Sequence, residues 1–241
     1  MKKLSLILGV CLVAFSAFIA PTSQQKQFQD FLSNVEEIEY PFEIQKEDLL
    51  NRYKEIDQMD NEDFDRHARL AKQYRKFIPE LETRFSRMGP PMVEPLAKIK
   101  LSKNVVGVLY ACYHFNRYFG DNTYRLMLYD QQGNPVDYRE KHLVEDQEKE
   151  SFFAKRRLEG FLLAHHNSNE TQIFTLNEGG EIAVKRFENI WAKDREEYGI
   201  IDNEVVGYTP TAQEVFQLTR AGKIIKKVNS GIHKTARASI H

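Results

Sequence analysis

The chain has 241 residues, 34 Lys+Arg against 35 Asp+Glu, a formal net charge of −1 at pH 7, and a 12% aromatic share that includes 11 Tyr and 16 Phe. That balance excludes nucleic acid as a default partner, which calls for a basic surplus, and the length suits one domain with a real core or one domain plus a small helical cap. The two cysteines, Cys11 and Cys112, leave no internal disulfide once an N-terminal leader is removed, so they argue neither for nor against an oxidising compartment.

Lys2 and Lys3 precede an apolar run from Leu4 to Ala20, broken only by Ser5, Gly9 and Ser16. This is the layout of an export signal. Ala20-Pro21-Thr22 fits a small-x-small cleavage site, with cleavage before Ser23. The run also sits at the lower limit for spanning a bilayer, so an uncleaved N-terminal anchor is the alternative. A lipid on Cys11 fits poorly, because Leu8-Gly9-Val10 lacks a small residue directly before the cysteine. The expectation is an exported protein, periplasmic or secreted, with residues 1–22 removed and no stable membrane insertion afterwards.

From Gln24 to about Met88 the pattern is helical. Phe28, Phe31, Leu32 and Val35 recur at i, i+3, i+4 and i+7, which sets them on one face. Pro41 pushes Tyr40 out of the helical region, so Tyr40 to Ile44 reads as an extended connector. A second helix is expected over Lys46 to Met59, with Leu49, Leu50, Tyr53 and Ile56 inward, and a third over Glu62 to Phe77. Gly89-Pro90-Pro91 and Pro95 form the clearest breaker cluster and mark the boundary between a helical lead-in, 23–95, and a strand domain, 96–228.

Beyond that boundary the period becomes two. Leu96 to Leu101 alternates, and Val105 to Phe115 is an apolar run suited to a central strand buried on both faces. Three stretches then share a hairpin pattern: Met127–Val136, Phe174–Ile182 and Phe216–Ile224. Each carries an apolar-x-apolar pair, then a glycine four residues on, at Gly133, Gly180 and Gly222, where a tight turn needs positive φ. Earlier apolar strands at Val105–Phe115, Phe161–His165 and Glu204–Tyr208 complete a unit of strand, strand, turn, strand. The expected fold is α+β: an N-terminal helical segment, then an antiparallel β-meander of about three degenerate strand-hairpin repeats. It is open, sandwich-like or partly propeller-like, since three units fall short of a closed propeller. Residues 229–241 read as a disordered polar tail.

The exported helical lead-in, Phe42-Glu43-Ile44 after a proline, the Lys98-Ile99-Lys100-Leu101 strand and the hairpin YDQQGNPV together resemble small uncharacterised exported proteins of Gram-negative gut-type bacteria. The resemblance implies fold and location and carries no activity.

Chemistry-bearing motifs are sparse. Nucleophile elbows and phosphate-cradling loops are absent from the sequence. Adjacent strand residues face opposite ways, so His165 and His166 cannot share one metal, and they read as a solvated loop edge with Glu170 nearby. Cys112 and His114 share a strand face and are the better-placed metal candidates, although Cys112 reads first as a small buried residue. Glu145, Asp146, Glu148 and Glu150 crowd one polar stretch that reads as a solvated loop or short helix. Tyr113, Tyr129 and Trp191 are candidates for an aromatic binding surface. The leading functional expectation is a non-enzymatic binding or interaction module of the bacterial envelope, without a cofactor, whose partner is an envelope protein, a peptide or a glycan. Its rivals are an exported hydrolase built on His114, His142, His165 or the Glu145–Glu150 group, and a chaperone-like or immunity-type partner of another exported protein.

Overall fold

The computed structural model describes residues 21–57, 76–78, 92–114, 121–138, 160–167, 169–194 and 203–227. Residues 1–20 of the expected leader, most of the third expected helix, the Gly89-Pro90-Pro91 breaker, His142, the Glu145–Glu150 stretch and the expected 229–241 tail lie outside them.

Among the described residues two helices precede the main run of strands. Helix α1, Ser23–Ser33, starts where the Thr22 hydroxyl accepts the Gln25 N–H at 3.1 Å, a side-chain cap on an otherwise orphaned donor. Phe28 and Phe31 are its buried face, as the spacing predicts. Strand β1, Phe42–Ile44, follows, and then helix α2, Lys46–Asp57. The Asp48 carboxylate reaches back to the Gln45 N–H at 2.8 Å, and Glu47 and Asp48 set negative charge in the first turn, where the helix dipole favours it.

The strands are β2 (Met92–Lys100), β3 (Val105–His114), β4 (Asp121–Asp130), β5 (Phe161–His166), β6 (Glu170–Leu176), β7 (Glu181–Trp191), β8 (Val205–Leu218) and β9 (Ile224–Lys227). They pair in sequence order as an open antiparallel sheet of nine strands, β1 being the ninth. β1 joins from the helical lead-in by pairing with β6, Phe42 against Leu176 and Ile44 against Phe174, so the expected connector is a strand of the sheet. The sheet curls without closing: the Ile224 N–H donates to the Tyr138 carbonyl at 3.3 Å, and Lys223 Nζ donates to the Asp137 carbonyl at 3.1 Å.

Alternation along β3 divides its side chains between two cores. Leu109, Ala111 and Tyr113 enter a large cluster with Leu126 and Leu128 of β4, Phe174, Leu176, Ile182, Val184, Phe216 and Leu218. Val108, Tyr110 and Cys112 enter a second cluster with Phe28, Phe31, Phe77, Met127 and Tyr129. The strand is thus buried on both faces over 107–113, because helix α1 and residues 76–78 cover the side turned away from the large core.

Three turns close with the same pair of backbone hydrogen bonds. Gly133 N–H donates to the Asp130 carbonyl, Gly180 to Asn177 and Gly222 to Thr219, while Asp130, Asn177 and Thr219 donate to the residue four ahead. All three glycines hold positive φ, between 76° and 82°.

The strand segmentation differs from expectation in two places. Pro95 lies inside β2 rather than at a boundary, next to a register shift on this edge strand. Proline there gives up no ladder donor that a neighbour needs. Val205–Leu218 is one 14-residue strand instead of two, with register shifts at Val206 and Thr211 that let it bend without breaking.

Candidate functional site

A row of cross-strand partners runs across the sheet: Tyr113 of β3, Asn122 of β4, His166 of β5, Thr171 of β6 and Phe187 of β7. Directly paired residues share a face, so the row is contiguous. It is also deeply buried, with Asn122, His166 and Thr171 no more than 3% exposed.

Helix α2 lies over this row and touches it once per turn. Lys46 Nζ sits 3.7 Å from the Phe187 ring centre and 4.1 Å from that of Tyr208. One turn on, the Leu49 carbonyl accepts from Asn122 Nδ2 at 3.4 Å, and the Leu49 side chain is fully buried. After another turn Arg52 Nε donates to the Tyr113 hydroxyl at 3.0 Å, its guanidinium 4.9 Å from the ring centre, and Nη2 pairs with Glu94 of β2. The i, i+3, i+6 spacing keeps all three residues on the sheet side of the helix.

Within the row the hydrogen bonds form a relay. His166 Nδ1 lies 2.7 Å from Thr171 Oγ1, Thr171 Oγ1 donates to Asn189 Oδ1 at 2.6 Å, and Asn189 Nδ2 donates to the Asn167 carbonyl at 2.9 Å. Burial, helped by the neighbouring His165, lowers the His166 pKa to about 4, so the ring is neutral at pH 7. Burial also raises the Tyr113 phenol far above its ordinary range, and raises Tyr124 and Tyr208 as well. The row is therefore uncharged, and the charges of Arg52, Glu94 and Lys46 sit along its lid.

His165 takes other partners. Its Nε2 meets Glu170 Oε1 at 2.8 Å, and across the strand Gln172 donates to the Leu163 carbonyl at 2.8 Å and accepts from Arg186 Nε at 2.8 Å. The two histidines do point to different partners, as adjacent strand residues must. They are buried, however, at 7% and 3% exposure, rather than lying on a solvated loop edge. The Asn167 side chain binds the 169 and 170 N–H groups and tightens the β5–β6 turn, which draws both histidines under cover.

The aromatic candidates do not form one surface. Tyr113 is at 2% exposure beneath α2, Tyr129 is fully buried in the other core with its hydroxyl on the Phe77 carbonyl, and Trp191 ends β7. Cys112 is buried at 1% and packs in the second core. His114 closes β3, and its side chain lies outside the described residues. Among the described residues no group of three or more His, Cys, Asp or Glu is arranged to hold a metal ion, and no helix is long and apolar enough to cross a membrane.

An open groove of about 510 Å³ lies between α1 and the β2–β3 turn. Phe28, Leu32, Val105 and Val106 line it beside Lys98 and Lys103. Lys98 Nζ is held by the Leu32 carbonyl at 3.0 Å, which ties the helix end to β2.

No family model, curated protein or solved structure matches this chain.

Proposed function

We propose that the chain is an exported binding or interaction module of the bacterial envelope, acting in the periplasm or outside the cell without catalysing a reaction. One observation carries this reading. Among the described residues the side chains best suited to proton transfer, His165 and His166, are buried and committed to Glu170 and to the Thr171–Asn189 relay, so they serve the sheet rather than a reacting molecule. A general base needs hydrogen-bond reach to a substrate proton, and α2 lies over the row that holds His166.

The leader reading supplies the location. The three turns with matching hydrogen bonds support an origin in a repeated strand-hairpin unit, now fused into one sheet. Its partner is an envelope protein, a peptide or a glycan. The test is the mass of the chain recovered from fractionated host cells, native and then denatured. Loss of residues 1–22 in a periplasmic or external fraction, with a discrete partner mass in the native spectrum, is the expected result. A full-length chain confined to the cytosol would overturn the reading.

A further inference from the structure

Glu170 and Glu188 are direct cross-strand partners on β6 and β7. The Asn189 N–H donates to the Asn169 carbonyl one step along, so 169 and 189 form the hydrogen-bonded pair. Antiparallel pairs alternate, which makes 170 and 188 the non-hydrogen-bonded kind, in which side chains approach most closely. Like charges directly opposite one another destabilise a sheet. His165 engages Glu170 from one side, and Glu188 is exposed without an ion pair among the described residues.

An apolar surface adjoins the two carboxylates. Ile190 follows Glu188 by two positions, on the same face of β7, and is 47% exposed. Its cross-strand partner is Gly207, which adds no side chain, so Ile190 Cδ1 lies only 3.3 Å from where a Cβ would stand there. Val206, at the neighbouring register shift, is 61% exposed. Here two exposed aliphatic side chains adjoin a like-charged pair in which Glu170 meets His165 and Glu188 has no ion pair among the described residues, a combination that suits a partner carrying both an aliphatic and a cationic group.

We infer that this face of β6, β7 and β8 docks an extended polypeptide segment bearing a lysine or arginine next to an aliphatic residue. The cation settles between Glu170 and Glu188 and removes their repulsion, and the aliphatic side chain covers Ile190 above Gly207. The edge of β8 that pairs with no described strand is a poorer seat. Pro210 and the irregularities at Val206 and Thr211 blunt it against strand addition. The inference rests on the binding-module reading and names the chemistry of its partner.

The test uses the chain purified from its host and two short probe peptides, one alternating lysine with valine and one alternating glutamate with valine, titrated by NMR. The expected result is saturable binding of the lysine peptide, with shifts centred on Glu170, Glu188 and Ile190, and no binding of the glutamate peptide. Glu188→Gln weakens the lysine peptide about fivefold, near the upper end for an exposed ion pair, whereas Glu178→Gln in the β6–β7 turn leaves it unchanged. Equal affinity for the two peptides, or an unchanged affinity in Glu188→Gln, overturns the inference. Glu188→Lys adds a readout that needs no peptide: it replaces a like-charged pair with an opposite one, so its melting temperature rises, and a fall counts against the repulsion argued here. Peptide binding by a chain that is never exported would sink the envelope reading and leave this docking face standing. Export without peptide binding would do the reverse.

Discussion

His166 Nδ1 and Thr171 Oγ1 stand 2.7 Å apart, and a third residue fixes the direction of their hydrogen bond. Asn189 Nδ2 is engaged by the Asn167 carbonyl, so Asn189 presents its oxygen to Thr171 and must accept the Thr171 proton. Thr171 can then only accept from His166, so the neutral imidazole carries its proton on Nδ1 and its lone pair on Nε2.

That assignment has a pH consequence. The folded His166 pKa is lowered to about 4 from the ordinary 6.5, chiefly by burial. Between those values the unfolded chain binds more protons than the folded one, so stability increases with pH across the window. The contribution is complete above about pH 6.5 and is lost as pH falls toward 4, for a total of roughly 3 kcal/mol. Urea melts at several pH values between 4 and 8 should show this slope, and His166→Gln should flatten it. Parallel profiles for the two proteins would remove His166 as its source.

Thr171→Val keeps the shape of the side chain but deletes both its accepting and its donating role. Two buried polar groups, the His166 N–H and the Asn189 oxygen, lose their partner, at a cost of about 1–3 kcal/mol for each such group. Thr171→Ser keeps the hydroxyl and should lose much less. Thermal denaturation of the pair separates the relay from simple packing, because a purely steric role would make the serine variant the worse of the two.

Much of this architecture is legible in the sequence where contacts are local. The apolar run from Val105 gives β3 and its two buried faces, and the spacing of Phe28, Phe31 and Val35 gives the buried side of α1 and the turn after it. Turn chemistry is equally readable, as Gly133, Gly180 and Gly222 occupy the positive-φ positions expected of them. The candidate site was not legible. Its members come from five strands and α2, and no spacing in the chain announces that Asn122, His166 and Thr171 will be neighbours. Glu170 shows the same limit, since its like-charged partner depends on the β6–β7 register. The Phe42–Ile44 strand was missed because three residues are too few to show alternation, and only pairing with β6 makes them a strand.

Gly179 and Gly180 offer a paired test of the turn argument. Gly180 sits at φ +77°, and a Cβ there would lie 2.6 Å from the Leu218 carbonyl oxygen, on the residue whose N–H donates to the Gly180 carbonyl at 2.7 Å. Gly180→Ala therefore combines left-handed strain, of order 1 kcal/mol, with a backbone clash, and should cost about 2 kcal/mol or more. At Gly179 a Cβ meets nothing within 4 Å. Gly179→Ala should fall within about 0.5 kcal/mol of the parent. Chemical denaturation distinguishes the two, and equal losses would show that turn composition rather than backbone conformation governs this site.

Cys112 reports on the second core. Its side chain packs with Val93, Tyr110 and Met127 at 1% exposure, so a thiol reagent reaches it only when that core opens. Phe28 closes the core from α1, with ring centres 5.2 Å from Phe77 and 5.1 Å from Tyr129. Phe28→Ala deletes both contacts and leaves a cavity, a change that typically costs 3–5 kcal/mol. If α1 opens as a unit, the labelling rate of Cys112 rises in proportion to the open population, by two orders of magnitude or more. Leu49→Ala damages the large core from α2 by a comparable 2–5 kcal/mol. Under mild conditions it should accelerate labelling far less, because β3 separates the two cores and its Cys112 side chain faces away from Leu49. Equal acceleration by both variants would mean that the sheet and its helices open only together, as one cooperative unit.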